Sequence, residues 1–271
     1  MAARTVRLHV DGRLVRERRD RMNDPASPGD LALRPLSARS VVLSLLLGTH
    51  PPELPVRELV RLVEGFGIGG STVRAALSRM AAGGDLRRTD GGYRLSERLL
   101  ERQRRQDEAV HPRTRAWEGD WETLVVTATG REPGERADLR ARLTALRLAE
   151  LREGVWLRPA NLCRPLPAGL DRVAERLDSR PGRPSRELAA RLWPLADWSA
   201  TAGALLARVE RAGSPADRLT AFAAVVRHLL ADPVLPPELL PDHWPGGALR
   251  EAYTEYQREQ ARQVRTRSTR T

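Results

Sequence analysis

Gly65-Phe66-Gly67-Ile68-Gly69-Gly70-Ser71-Thr72-Val73-Arg74-Ala75-Ala76-Leu77-Ser78-Arg79-Met80 changes character at its middle. The opening, dense in glycine, has the composition of a tight turn. From Gly70 onward apolar residues return at helical spacing, which predicts a helix over 70–82 that closes at Gly83-Gly84. At about 100° per residue, Val73, Ala76, Leu77 and Met80 share one stripe, and that stripe must pack inward. The opposite face centres on Ser71, Ala75 and Ser78, with Arg74 and Arg79 flanking it and Thr72 adding a hydroxyl. Such a face suits a DNA major groove. Small central residues let the helix approach base edges, and a guanidinium on each side can reach a guanine or a phosphate.

The neighbours complete a motif. Upstream, Ser37 is placed to cap a helix over about 38–47, with Val41, Val42, Leu45 and Leu46 on one face. Gly48 and Pro51-Pro52 stop it; Pro55 is expected in the first turn of a second helix through Val56, Leu59, Val60 and Val63. Downstream, Asp90-Gly91 sits between two short alternating runs in 86–95, a strong hairpin signal. Helix, helix, turn, helix, hairpin is the order of a winged helix-turn-helix. In that wing Arg87, Arg88 and Arg94 are placed to follow the neighbouring backbone phosphates. Ser96 then opens a polar connecting helix to about residue 109.

Beyond it the pattern changes twice. Trp117–Thr127 and Gly154–Pro159 read as strands around a helix over 134–147 that turns Leu139, Leu143 and Leu146 inward. Residues 168–177 read as helical and 180–184 as a break. Strand–helix–strand in so short a unit suggests a small ferredoxin-like α+β sandwich. From 185 the chain reads all-helical: 186–193, 199–211, a helix opened by Ser214-Pro215 with Asp217 in its first turn, a proline-rich loop over 232–245, and a last helix over 247–263. The fold class is therefore α+β. It comprises a flexible arm 1–34, a winged helix 35–95, a connector 96–116, a ferredoxin-like middle domain 117–184, a helical C-terminal domain 185–264 and a basic, disordered tail 265–271.

Composition bounds the function. The chain has 271 residues, for which length alone suggests about two domains. It carries a net charge of +11, and all 46 of its Lys+Arg cations are arginine. Codon bias explains the missing lysine but not the position of the charge: residues 1–36 carry +3, 37–105 carry +5, 106–180 are balanced, and 181–250 and 251–271 carry +1 and +2. An excess gathered on the arm and winged helix favours a polyanion, nucleic acid first, over a merely solvated surface. No apolar run approaches the roughly 20 residues of a membrane span, and the first 35 residues lack the apolar core of a secretory signal. A cytoplasmic protein without membrane partners is expected. Cys163 is the only cysteine and reads as a partly buried apolar residue, which excludes an internal disulfide or a cysteine zinc site.

Phe66–Met80 resembles the helix-turn-helix of the PaaX family, repressors named for phenylacetic acid catabolism. The resemblance continues through Trp117-Glu118-Gly119-Asp120-Trp121 and Gly154-Val155-Trp156-Leu157-Arg158-Pro159, and ends in Asp232-Pro233-Val234-Leu235-Pro236-Pro237-Glu238-Leu239-Leu240-Pro241-Asp242-His243-Trp244-Pro245-Gly246. It implies a middle domain like a small CRISPR-associated ferredoxin-like protein, and DNA binding as a homodimer released by an acyl-CoA such as phenylacetyl-CoA. Three departures stand out: Gly69-Gly70 replaces a polar helix cap such as Ser, the Pro- and Arg-rich stretch 177–184 stands where the family closes its middle sheet with a strand, and residues 1–34 lie outside the resemblance.

Other chemistries fare less well. A metal-dependent nuclease on the middle domain needs a carboxylate at the end of the first strand, but this strand ends Val125-Val126-Thr127-Ala128, and Asp120 precedes it. His9, His50, His111, His228 and His243 show no metal-ligand spacing, no nucleophile elbow is present, and no glycine motif for a cofactor follows a strand. Trp193, Trp198 and Trp244 fit either an aromatic-acyl pocket or ordinary core. No residues are assigned to the effector. The reading is a dimeric, sequence-specific repressor of double-stranded DNA, without enzymatic activity or cofactor. Its contacts are Ser71, Thr72, Arg74, Ala75, Ser78, Arg79, Arg87, Arg88 and Arg94. A winged-helix protein-interaction scaffold is the remaining alternative.

Overall fold

The computed structural model describes residues 36–268, the side chains of 264–268 excepted; the expected arm 1–34 lies outside the described residues. Ser37 stands in extended backbone and its Oγ accepts the Ser40 N–H at 3.2 Å, so α1 (Ala38–Leu47) begins at its expected cap. β1 (Glu53–Pro55) follows, then α2 (Val56–Glu64), α3 (Gly70–Ala82) and the hairpin of β2 (Leu86–Thr89) and β3 (Gly92–Leu95). Gly91 closes that hairpin at φ +88°, a conformation that glycine adopts without strain. The wing has three antiparallel strands in the order β1-β3-β2, with Leu54 opposite Tyr93 and Leu86 opposite Leu95. Pro55 therefore ends a strand and precedes α2, where a first-turn position was expected. β1 escapes sequence reading because three residues are too few to show alternation, and its partner lies about 40 positions away.

α4 (Glu97–Val110) leaves the wing and packs on α1. Its buried Gln103 donates through Nε2 to the carbonyls of Leu47 and Thr49, both at 3.0 Å, and so satisfies acceptors that the end of α1 leaves open. Ser96 has the backbone of a cap, but its side chain makes no capping bond.

The middle sheet holds β4 (Trp121–Val126), β5 (Ala149–Arg152), β6 (Val155–Pro159) and β7 (Ala174–Ser179) in the order β5-β6-β4-β7, every neighbour antiparallel, with α5 (Pro133–Ala145) between the first two strands. This is the ferredoxin-like topology, with its usual second helix replaced by turns before Ala174. Two expectations change here. Residues 168–177 form turns and then a strand, not a helix, and the sheet does close with a fourth strand. β7 reads Ala-Glu-Arg-Leu-Asp-Ser, sits at the sheet edge and buries only Ala174, so its sequence lacks the alternation of a covered strand.

The two faces of the sheet serve different partners. Leu124 and Trp156 face Leu139 and Leu143 of α5, while half-buried Leu146 caps that helix. Trp121 and Leu157 face α6 (Ser185–Leu192), the start of α7 (Leu195–Glu210) and the loop residues Leu235 and Leu239. α8 (Pro215–Leu230) begins at Ser214, whose Oγ accepts the Asp217 N–H at 3.1 Å, and packs on α4, α7 and α9 (Gly246–Ser268). α9 reaches through Ser268, so residues 265–268 of the expected tail are helical, because the Arg- and Thr-rich stretch contains no proline or glycine to stop the helix. Trp198 stacks on both His228 and Trp244, at 4.3 and 4.4 Å, and Trp193 packs against Trp121. These tryptophans are core. Cys163 is exposed, contrary to its apolar reading, on a segment joined by backbone bonds to Arg113.

Candidate nucleic-acid interface

The turn into α3 brings its first residue close against side chains of α2. A Cβ on Gly70 would stand 2.5 Å from Glu64 Oε1, 3.1 Å from Val60 Cγ1 and 3.2 Å from Arg74 Nη1, so a larger residue at the first helical position would have to push aside the flexible ends of Glu64 and Arg74 and would press on Val60. Gly69 occupies the cap in extended backbone and supplies no side-chain acceptor. The start of the helix is therefore held by packing and not by a cap.

That packing fixes what α3 presents. Val73, Ala76, Leu77 and Met80 are buried, while Ser71, Thr72, Arg74, Ala75, Ser78 and Arg79 are all exposed. Arg74 and Arg79 lie about 7.5 Å apart along the axis. Neither has a hydrogen bond or ion pair among the described residues. Glu64 Oε1 and Arg74 Nη1 both lie over Gly70, so Arg74 has a carboxylate nearby without pairing with it, and both guanidiniums keep their hydrogen-bonding capacity for an outside anion. The helix cannot roll to hide them without exposing its apolar stripe, which would cost several kcal/mol at roughly 1.5–3 per large side chain.

The wing divides its arginines. Arg87 and Arg94 are cross-strand neighbours on one face, with Glu53 opposite Arg94 and Glu97 Oε1 4.0 Å from Arg87. Arg88 pairs with Tyr93 on the other face, the one carrying buried Leu86 and Leu95, and is exposed near the hairpin tip. The three guanidiniums therefore do not form one patch. Arg88 shares the core-facing side of the wing, and the other two share a partly neutralised outer side.

Sequence reading missed the group that holds this unit together. Buried Asp85, at the junction of α3 and β2, accepts two bonds from Arg39 of α1, at 2.8 and 3.2 Å, and one from Arg98 of α4. Its own N–H donates to Met80 O at 2.9 Å, and its carbonyl accepts from Ser96 N–H at 3.0 Å. Arg39 also borders the surface hollow lined by Thr72 and Arg79, so a sixth polar position adjoins the exposed face of α3. A separation of 46 residues between Arg39 and Asp85 leaves no local signal.

A second arginine centre lies in the middle sheet. Arg158 of β6 is 0% exposed and donates to the carbonyls of Pro159 (3.0 Å), Val234 (3.2 Å), Arg147 and Pro233 (both 3.4 Å) and to Asn161 Oδ1 (2.9 Å). Burial, and after it the nearby Arg164, lowers its pKa, but Glu122 and Asp232 partly oppose that. Val234 is held at φ +50° with its N–H on Asp232 Oδ1 at 2.8 Å, and Asp232 Oδ2 accepts from Arg250 Nη2 at 2.6 Å. Arg250 Nε reaches Ala109 O in the last turn of α4, at 3.1 Å. One network thus joins the middle sheet, the 232–245 loop, α9 and the connecting helix.

The end of β4, where a metal-dependent nuclease would need a carboxylate, carries none. β4 ends at Val126, and Asp120, which precedes the strand, takes the Arg180 guanidinium at 2.5 Å. That hydrogen bond holds the Asp120 carboxyl below the usual range.

Comparison with known proteins agrees with this architecture segment by segment. Residues 37–99 match the family described as PaaX-like protein, 114–176 match the PaaX protein central Cas2-like domain, and 195–268 match the PaaX-like protein C-terminal domain. Among solved structures, the uncharacterized protein Rv0674 from Mycobacterium tuberculosis is 47% identical over 85% of this chain and 98% of its own, with a TM-score of 0.76. The comparison with curated proteins returns no match.

Proposed function

Since the chain belongs to the PaaX-like family, we propose that it is a regulator of transcription, a homodimer that binds an inverted repeat in double-stranded DNA and represses the adjoining genes in the cytoplasm. The observation that carries this reading is the exposed face of α3, where two unpartnered guanidiniums flank Ala75 and Ser78 on a helix whose other side is locked into the core. In this assignment residues 35–95 bind DNA, 96–116 connect, and 117–184 with 185–264 supply the dimer contact and the effector site. Each α3 enters a major groove, the two lying about 34 Å apart along the duplex. Arg74 and Arg79 read or clamp the groove, Ser71, Thr72 and Ser78 add polar contacts, and Ala75 allows close approach. Arg88, with Arg87 and Arg94 behind it, meets the flanking phosphates.

Release follows from an effector, an acyl-CoA in this reading, that binds the DNA-incompetent arrangement more tightly than the competent one. The test is a gel-shift titration on DNA upstream of the chain's own gene. The expected result is nanomolar, sequence-preferring binding that weakens steeply with salt, and reversal by an acyl-CoA thioester. Binding indifferent to sequence overturns the regulator reading in favour of a winged-helix interaction scaffold.

A further inference from the structure

The middle sheet has two outer strands, and they finish the sheet differently. β5 is broken by a register shift between Glu150 and Arg152, packs against α6, and has Glu150 paired with Arg140 of α5. Irregularity and cover of this kind keep a sheet edge from pairing. β7 has neither. It follows β4 in one unbroken register, contains no proline, and leaves Glu175, Arg176, Leu177 and Asp178 exposed on both of its faces. Leu177 is 48% exposed, more than any other large apolar residue among those described. The Thr127 N–H donates to Val173 O at 3.0 Å, so the odd-numbered residues of β7 turn their backbone groups toward β4. The N–H and C=O of Arg176 and Asp178 therefore aim away from the sheet, and none of them meets a backbone partner among the described residues.

What fits this edge is decided by the order of its side chains. A second copy of the chain, related by a twofold axis, can join it only antiparallel, and the outward backbone groups can bond only where even-numbered residues face even-numbered ones. Two registers of that kind overlap most of the strand. One sets Arg176 against the Arg176 of the second copy, with like charges directly opposite. The other sets Leu177 against its own copy and Arg176 against Asp178, and symmetry repeats that pair in reverse. We propose that β7 is a homodimer contact in this second register, joining two four-stranded sheets into one across a Leu177–Leu177 dyad. Leu177 then occupies a non-hydrogen-bonded pair, where Cα atoms approach to about 4.5 Å and the apolar side chains cover each other. On the other face Arg176 and Asp178, already 3.5 Å apart within the strand, close a ring of alternating charge with their copies. Charges on an edge strand ordinarily discourage pairing. Here their order rejects the shifted register and admits this one. The proposal deepens the reading of the chain as a homodimer and rests on that part of it; nothing in it depends on DNA or on an effector.

Sedimentation equilibrium of the full chain is the test. The wild type is expected to be a dimer at micromolar concentration. Arg176→Asp and Asp178→Arg each place like charges opposite one another twice, and each should weaken the dimer by about tenfold or more. Mixing the two variants should restore it, because each chain then meets the charges that its own copy lacks. Neither impaired folding nor loss of the intrastrand pair can produce that rescue. In a Cys163→Ser background, Leu177→Cys should yield a covalent dimer under mild oxidation, since the distance across the dyad suits a disulfide, whereas Arg176→Cys should not. A monomeric wild type overturns the proposal together with the homodimer reading and leaves the edge to a strand of another protein. A wild-type dimer that both charge variants keep unchanged overturns the β7 contact alone, since another surface then holds the copies. Monomeric variants that stay monomeric when mixed, or crosslinking at 176 and not at 177, would also overturn it while leaving the homodimer reading in place.

Discussion

On α3 the guanidiniums of Arg74 and Arg79 stand in solvent without a partner among the described residues, while Arg158 gives its hydrogens to four carbonyls and an asparagine without meeting solvent. In a chain without lysine, one residue type serves both regions, and surroundings decide the role. A guanidinium suits the buried position because its planar fork can address several carbonyls at once, which an ammonium cannot. The same fork on α3 is uncommitted. Net charge therefore describes this protein poorly; the location of unspent hydrogen-bonding capacity describes it better.

The largest effect should come from breaking the buried side of this contrast. Arg158→Ala leaves the carbonyls of Pro233 and Val234 and the side chain of Asn161 short of donors, and is expected to lower stability by about 3–5 kcal/mol, read as the denaturant midpoint. Arg158→Lys should recover less than half of that. A loss under about 1 kcal/mol would mean that the 232–245 loop is held by packing instead. On the exposed side, Arg74→Ala should leave the midpoint unmoved and cost about 1–3 kcal/mol of specific DNA binding by fluorescence anisotropy. Normal binding by that variant would show that the wrong face of α3 has been assigned.

Smaller effects sharpen the division within the wing. Arg88→Ala should weaken binding equally across DNA sequences and reduce the slope of log affinity against log salt by about 1, whereas Arg87→Ala, already beside Glu97, should change it less. Equal slopes would place all three wing arginines in one patch after all. Smallest of all, Gly69→Ser should raise stability by a few tenths of a kcal/mol, because Gly69 stands in cap geometry with open space around its Cα. No gain would indicate that packing at Gly70 already fixes the first turn.

The winged helix was legible because its signals are local. Ser37, the Asp90-Gly91 turn and the inward stripe of α3 each act within a few residues of chain, and each element bounded by them stands where periodicity put it. What escaped depends on distant pairing. β1 and β7 exist through their partners, β3 and β4, and neither carries the alternation that would announce it. The exposed candidates Arg74, Arg79 and Ser78 could be read from angle alone, whereas the division of Arg87 and Arg94 from Arg88 needed the strand register. Arg39–Asp85 and Arg158–Val234 had no sequence signal, since a hydrogen bond across 46 or 76 residues leaves none.

α4 is 14 residues long, about 21 Å, and is gripped along its length: Gln103 holds the end of α1, and Ala109 near its end is held by Arg250. One residue added between these two grips would rotate one against the other by about 100° and advance it by 1.5 Å. The loops elsewhere can absorb such a change; this segment cannot. Between Gln103 and Ala109 the number of residues is itself a specification, and a one-residue insertion there should be worse tolerated than almost any substitution at the same positions.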